Sequence, residues 1–148
     1  MRLEKLQLLN FKNYREVDLN FSSRINVLIS KNGSGKTNLL DAIYYLAFTK
    51  SAFSTDPFCI LHDQSYFMVK GAFRIGSVSN EITSSLQIGT KKIFREGLYD
   101  YEKLSEHIGK YPVIMIAPND VDLVNEGSDA RRRFFDSIIS QLDSRYLE

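Results

Sequence analysis

Apolar and polar positions divide the chain into short blocks of distinct period. Residues 25–29, Ile-Asn-Val-Leu-Ile, form a nearly unbroken β-branched run, which predicts a strand buried on both faces. From Lys36 onward, Leu39, Leu40, Ala42, Ile43 and Leu46 recur at helical spacing and predict an amphipathic helix to about Phe48. Ahead of both, Leu6 and Leu8 share one face of an expected strand over Arg2–Phe11, with Leu3, Leu9 and Phe11 less regularly placed. Val17, Leu19 and Phe21 alternate with Asp18 and Asn20, a period of two that predicts a second strand. The polar residues 12–15 join the two into a hairpin.

Beyond the helix, residues 49–57 read as irregular, and residues 58–62 as a short helical piece. Phe67, Val69, Phe73 and Ile75 alternate, which predicts a strand over Tyr66–Ile75; Ile82, Leu86 and Ile88 alternate likewise. With a turn at Gly89-Thr90 and a third strand over residues 91–95, the stretch of about 66–95 predicts an antiparallel meander. Residues 102–108 predict a short helix stopped by Gly109. Val113-Ile114-Met115-Ile116 repeats the buried-strand pattern until Pro118-Asn119-Asp120 breaks it. Ser128 is a good N-cap, and Phe134, Phe135, Ile138, Ile139 and Leu142 mark one face of a last helix. No Gly or Pro closes that helix, so we expect it to run into a continuation. The expected division is 1–127, one α/β unit, and 128–148, the start of a helical region.

The junction between the apolar run and the first helix carries the chemistry. Ser30-Lys31-Asn32-Gly33-Ser34-Gly35-Lys36-Thr37 sits where a phosphate-binding loop sits, between a strand and a helix start. A di- or triphosphate needs several N–H donors converging at close range. Glycines let the backbone curl into that concavity, and the helix start adds free N–H groups and a positive dipole end. Lys36 is expected on the β- and γ-phosphates, and the Thr37 hydroxyl on Mg²⁺. The pattern G-x-x-x-x-G-K-[ST] has Ser30 in place of its first glycine; serine makes that turn if its φ stays negative. A glycine turn that binds nothing leaves Lys-Thr at the helix start unexplained.

Composition narrows the rest. Of 148 residues 43% are hydrophobic, enough for one core, and no apolar run has membrane length. Arg2, Glu4 and Lys5 interrupt the start, against a signal peptide. The one cysteine, Cys59, excludes an internal disulfide, fits a reducing compartment, and lies among Phe58, Ile60 and Leu61 as a packing residue. A net charge of +1 neither announces a nucleic-acid binder nor excludes one. Arg131-Arg132-Arg133 is odd in a first helical turn, because three cations there oppose the macrodipole; Asp129 and Glu126 offset part of this. DNA phosphate, an intramolecular ion pair and a solvated face all stand as explanations. Lys91, Lys92 and Arg95 form a second basic cluster on the expected hairpin. His62 and His107 lack metal-ligand company and read as surface or partly packed residues. Asp120, four residues beyond Ile116, is a candidate for the metal, or a turn residue with an Asx or helix-capping bond.

The loop and its flanks resemble the ABC-type ATPases, and the opening Leu9-Asn10-Phe11-Lys12-Asn13-Tyr14 is similar to the start shared by their SMC and RecF branch. Tyr101 to Gly109, Tyr111 through Val124, and Gly127-Ser-Asp-Ala-Arg-Arg-Arg-Phe-Phe-Asp136 resemble the RecF family in particular, so the likeness covers essentially the whole chain. It implies the N-terminal part of an ATPase head of the P-loop NTPase fold, with an antiparallel meander beside the nucleotide layer. It implies ATP and Mg²⁺ as ligands and a basic residue at Lys12 approaching the nucleotide, where the residues alone give a solvated turn lysine.

The same resemblance implies a cytoplasmic DNA-binding ATPase of recombinational repair and replication-fork maintenance. Such a protein dimerises around ATP, engages double-stranded DNA at gap junctions, acts with RecO and RecR in recombinase loading, and has no membrane partner. Weak DNA-stimulated hydrolysis belongs to the full-length dimer. No signature segment and no strand ending in Asp-Glu is present here, so this stretch alone is expected to be inactive. The rivals are a structural SMC-type ATPase, which predicts heptad repeats beyond Glu148, and a small-molecule P-loop kinase, which predicts an arginine lid.

Overall fold

The alternating segments pair into a single sheet. The structure, a computed structural model, describes residues 1–121 and 128–147. Its strands are β1 (Arg2–Phe11), β2 (Tyr14–Asn20), β3 (Tyr66–Ile75), β4 (Val78–Gln87), β5 (Ile93–Glu96) and β6 (Tyr99–Asp100). They lie in the order β2-β1-β3-β4-β5-β6, with every neighbouring pair antiparallel. Hairpin and meander are therefore one surface, joined where β1 pairs with β3. The third strand of the meander begins at Ile93, which leaves Lys91 and Lys92 in the turn before it.

One face of the sheet is the core. Leu6 and Leu8 of β1, Phe67, Val69 and Phe73 of β3, Ile82 of β4 and Phe94 of β5 are buried there. The helix α1 (Lys36–Phe48) lays Leu39, Ala42, Tyr45 and Leu46 against them. It crosses β3 where Gly71 leaves room: a Cβ added there would stand 2.5 Å from Leu46 Cδ1. Phe11, Tyr45 and Phe67 meet edge-to-face, with ring centroids 5.4 to 5.9 Å apart. On the opposite face a polar row crosses all six strands, Asp18, Gln7, Lys70, Thr83, Arg95 and Asp100. Arg95 is paired within that row to Asp100, Nη2 to Oδ2 at 3.0 Å.

Two expected strands are not strands. Residues 25–29 belong to no strand, and Ile25, Val27 and Ile29 are 81%, 72% and 90% exposed. Residues 112–117 behave alike, with Ile114 and Ile116 exposed and the Val113 N–H donating to Gln141 Oε1. An apolar run covered on both faces needs neighbouring strands, and no described strand lies beside either segment.

The segment after β6 forms a 3₁₀ turn over Leu104–Glu106 rather than a helix of residues 102–108. The short piece expected over 58–62 falls at Asp56–Cys59. His107, expected near the surface, is buried between the Phe94, Tyr101 and Tyr111 rings, with Nε2 2.6 Å from the Leu46 carbonyl oxygen. Gly109 brings the last helix, α2 (Ser128–Leu142), close: its φ is +90°, and an added Cβ would stand 2.5 Å from the Gln141 carbonyl oxygen. The apolar residues Phe135 and Leu142 of α2 are exposed. The expected boundary at residue 127, the Gly127 loop and Glu126 lie outside the described residues.

Candidate functional site

The loop of residues 30–35 emerges exposed from the unpaired segment and ends at the N-terminus of α1. Gly35 is the N-cap, left-handed at φ 102° and ψ 10°, and its carbonyl accepts the first helical bond from Leu39 N–H at 2.9 Å. The first-turn N–H groups have no acceptor inside the helix, and the macrodipole adds partial positive charge there. No acidic side chain occupies that first turn. Lys36 folds back over the loop and donates to the carbonyl oxygens of Ser30 and Lys31, each at 2.9 Å. Ser30 keeps a negative φ, the condition under which it can replace glycine, and its hydroxyl bonds that of Ser34 across the loop. Lys31, Asn32, Gly33 and Thr37 are exposed around the rim.

The hairpin turn at residues 12–14 presses on this loop. Asn13 Nδ2 donates to the Ser34 carbonyl at 3.1 Å, and Asn13 Oδ1 accepts from Asn38 Nδ2 at 2.8 Å. The Tyr14 hydroxyl donates to the Gly35 carbonyl at 3.0 Å, and burial pushes the Tyr14 phenol up from its ordinary value.

Lys12 does not face the loop in this structure. Its ammonium lies 2.5 Å from Asp41 Oδ2, on the second turn of α1, and 3.4 Å from Ser51 Oγ. Asp41 is fully buried; Ser51 Oγ and the Ala52 N–H each donate to it at 2.7 Å. The Lys12 ammonium also sits 5.6 Å from the Phe53 ring centroid. Beneath this cluster Cys59 is buried, which pushes its thiol up and fits a packing role.

The other candidates separate. Asp120 belongs to a 3₁₀ turn over Pro118–Val121, and its Oδ2 accepts the N–H of Ala117, three residues back, at 2.7 Å, a helix-capping bond. Among the described residues no three His, Cys, Asp or Glu side chains gather as metal ligands. Lys92 is drawn inward: its ammonium lies 2.6 Å from Asp56 Oδ2 and 2.5 Å from the Thr49 carbonyl at the C-terminus of α1, over the Tyr45 ring. It neutralises a helix end instead of facing a partner. Lys91 is exposed beside it. Arg132 approaches Asp129 at 3.4 Å, Arg133 donates to the Asp129 carbonyl at 3.4 Å, and Arg131 is also engaged. All three arginines are exposed.

Asn13, Tyr14 and Asp41 were not singled out from sequence. Asp41 carried a signal, an acid set between Leu40 and Ala42 on an apolar helix. Asn13 and Tyr14 carried a signal only as part of the opening Leu9–Tyr14 segment, and their contacts depend on how the hairpin folds over the loop.

Comparison with known proteins fits this geometry. The RecF/RecN/SMC N terminal domain family matches residues 2–66, the hairpin, loop and first helix. The DNA replication and repair protein RecF of Cytophaga hutchinsonii is 48% identical over 149 residues, covering 100% of the chain and 39% of that protein. RecF of Bacteroides fragilis is 43% identical over 150 residues, covering 100% of the chain and 40% of its own length. The chain thus spans about two fifths of the relatives it matches. A solved structure described as the recombination mediator protein RecF-ATP in the RecFOR pathway superposes with a TM-score of 0.92 at 26% identity, over 98% of this chain and 39% of that one. Among the described residues no helix is long and apolar enough to cross a membrane.

Proposed function

Since the chain is a RecF homologue with the fold of the N-terminal part of a P-loop ATPase head, we propose that it binds ATP at residues 30–37 and uses the nucleotide to control engagement of DNA in repair. The observation that carries this is the loop at the N-terminus of α1, with Lys36 folded onto the carbonyls of Ser30 and Lys31. Those carbonyls hold the ammonium over the concavity that a phosphate enters, and a bound γ-phosphate replaces them as its partner. Thr37, exposed at the helix start, offers one oxygen to Mg²⁺, a hard cation that keeps several waters and takes the rest from phosphates. Asp120 accepts the Ala117 N–H on Oδ2, and a carboxylate has a second oxygen with which to approach a metal.

In this proposal ATP binding closes two copies on one another, in the cytoplasm, and closure raises affinity for double-stranded DNA at gap junctions; RecO and RecR are the protein partners. Arg131, Arg132, Arg133 and Lys91 are the phosphate-contacting candidates, as exposed cations. Lys92 is left out, being held by Asp56 and Thr49.

The test is a titration of gapped and duplex DNA at two salt concentrations, with and without ATP and Mg²⁺, with Lys36→Ala as control. We expect salt-sensitive binding that tightens with ATP in the unaltered protein and not in Lys36→Ala. DNA binding indifferent to both ATP and Lys36 would sink the proposal.

A further inference from the structure

We propose that Asn13 and Tyr14, at the turn of the β1–β2 hairpin, are positioning residues that aim the amides of the P-loop at phosphate. The inference rests on the assignment of residues 30–37 as a phosphate site and adds what holds that site in shape.

Within the loop, Ser34 N–H reaches the Lys31 carbonyl at 3.4 Å, the Ser30 and Ser34 hydroxyls bond one another, and Lys36 holds the Ser30 and Lys31 carbonyls. None of these bonds holds the Ser34 carbonyl. The bonds that fix its exit come from the hairpin. Asn13 takes the Ser34 carbonyl and, through its own oxygen, the Asn38 amide one turn into α1. Tyr14 takes the Gly35 carbonyl, the same oxygen that receives Leu39 N–H.

Peptide planarity turns these bonds into a direction. In a trans peptide the C=O and the following N–H point opposite ways. The Ser34 carbonyl is fixed to the Gly35 N–H, and the Gly35 carbonyl to the Lys36 N–H. Pinning both carbonyls toward the hairpin turns both N–H groups away from it, out from the helix start where an anion is received.

The backbone at the loop's exit dictates glycine: Gly35 has φ +102°, where any side chain is strained, and an added Cβ would also press on the Asn13 amide group. Residues 12 and 13 form the turn between β1 and β2, where side chains are not bound to the strand alternation of faces. Here Lys12, Asn13 and Tyr14 all reach the loop or α1, and the backbone accommodates this with Lys12 in the left-handed region at φ 52°. A non-glycine residue there costs energy, and the buried contact of Lys12 with Asp41 holds it.

The experiment compares the unaltered protein with Tyr14→Phe, Asn13→Ala and Lys36→Ala. ATP affinity is read by calorimetry, the bound nucleotide by ³¹P resonance, and fold by thermal melting. We expect Tyr14→Phe and Asn13→Ala each to weaken ATP binding by about three- to tenfold, the loss that follows from one hydrogen bond. We also expect the β-phosphate resonance to move while the adenine protons stay in place, a signature that a general loss of stability does not produce. If the unaltered protein binds ATP, Lys36→Ala does not, and both hairpin variants match the unaltered protein in affinity and resonance, the clamp is overturned and the phosphate site stands. If the unaltered protein binds no ATP, both fail. Should Asn13→Ala melt, Tyr14→Phe, which removes a single oxygen, decides by the same criteria.

Discussion

The Lys12 ammonium and the Asp41 carboxylate meet at 2.5 Å where Asp41 is fully buried and the Lys12 side chain is 10% exposed. The pair ties the hairpin turn to α1, the helix that follows the loop of residues 30–35. Removing one member of such a pair leaves an unbalanced buried charge, at a cost of about 3–5 kcal/mol. Lys12→Met is therefore expected to destabilise the protein on that scale in urea unfolding, and the double variant Lys12→Met/Asp41→Asn to recover much of the loss. A single-variant loss below about 1 kcal/mol would contradict the burial argument.

Gly35→Ala meets two obstacles at once, a φ of 102° and the Asn13 amide in the space of the new methyl. We expect loss of ATP binding by tenfold or more with a small change in melting temperature. Adding Asn13→Ala to Gly35→Ala relieves the contact but not the backbone, so it is expected to restore binding only in part. Full recovery, measured by calorimetry, would show that the contact alone sets the requirement.

Gly109→Ala tests the seat of α2. Its φ is +90°, and the new Cβ would meet the Gln141 carbonyl oxygen at 2.5 Å. The expected cost is about 1–3 kcal/mol, concentrated in α2. Amide hydrogen exchange across Ser128–Leu142 should accelerate while α1 keeps its protection. Equal acceleration in both helices would mean that α2 has no separate docking energy.

His107 gives a pH dependence of definite sign. Burial pushes its imidazole below the ordinary value of 6.5, and the bond to the Leu46 carbonyl offsets only part of this. The unfolded state then takes up a proton at a higher pH than the folded one, so the contribution of neutral His107 is intact above about 6.5 and is lost as pH falls through the folded value. Glu96 changes charge below its ordinary 4.5 and so outside this range. Burial raises its carboxyl, but bonds from the Tyr101 and Tyr111 hydroxyls and the Lys110 charge outweigh that and hold it below the ordinary 4.5. Urea unfolding at pH 7.5 and 5.5 therefore isolates the histidine. We expect lower stability at pH 5.5, and a flatter profile in His107→Gln; an unchanged slope in that variant would assign the effect elsewhere.

The parts of the fold visible in sequence are those set by local period and local chemistry. Leu6 and Leu8, or Phe67, Val69 and Phe73, declare a strand face without help from distant residues. Gly33 and Gly35 declare the turn into α1, where both take a positive φ, and Lys36-Thr37 at the helix start is the pattern on which the proposed phosphate site rests. Residues 25–29 and 112–117 show the limit of the same logic. Their patterns record a preference for burial, yet only neighbouring strands can satisfy it, and none of those described do so. Lys92 shows another limit. In sequence it is one of a pair of adjacent lysines, and only the approach of β5 to the end of α1 gives it Asp56 and the Thr49 carbonyl. The role of Asn13 and Tyr14 is likewise long-range, set by a turn folding over a loop some twenty residues away.

The pairing of β1 with β3 has a kinetic consequence. Everything between Phe11 and Tyr66, the phosphate loop and α1 included, lies inside the chain loop that this ladder closes. On a ribosome β1 has only β2 beside it until β3 has emerged, and α1 has no sheet wide enough to cover its apolar side. A nucleotide therefore has no finished pocket to select during early synthesis, and it adds stability only once the ladder is in place. In a series of chains released at successive lengths, protease resistance of residues 2–48 should rise in one step as Ile75 is included, and ATP should sharpen that step without moving it to shorter lengths.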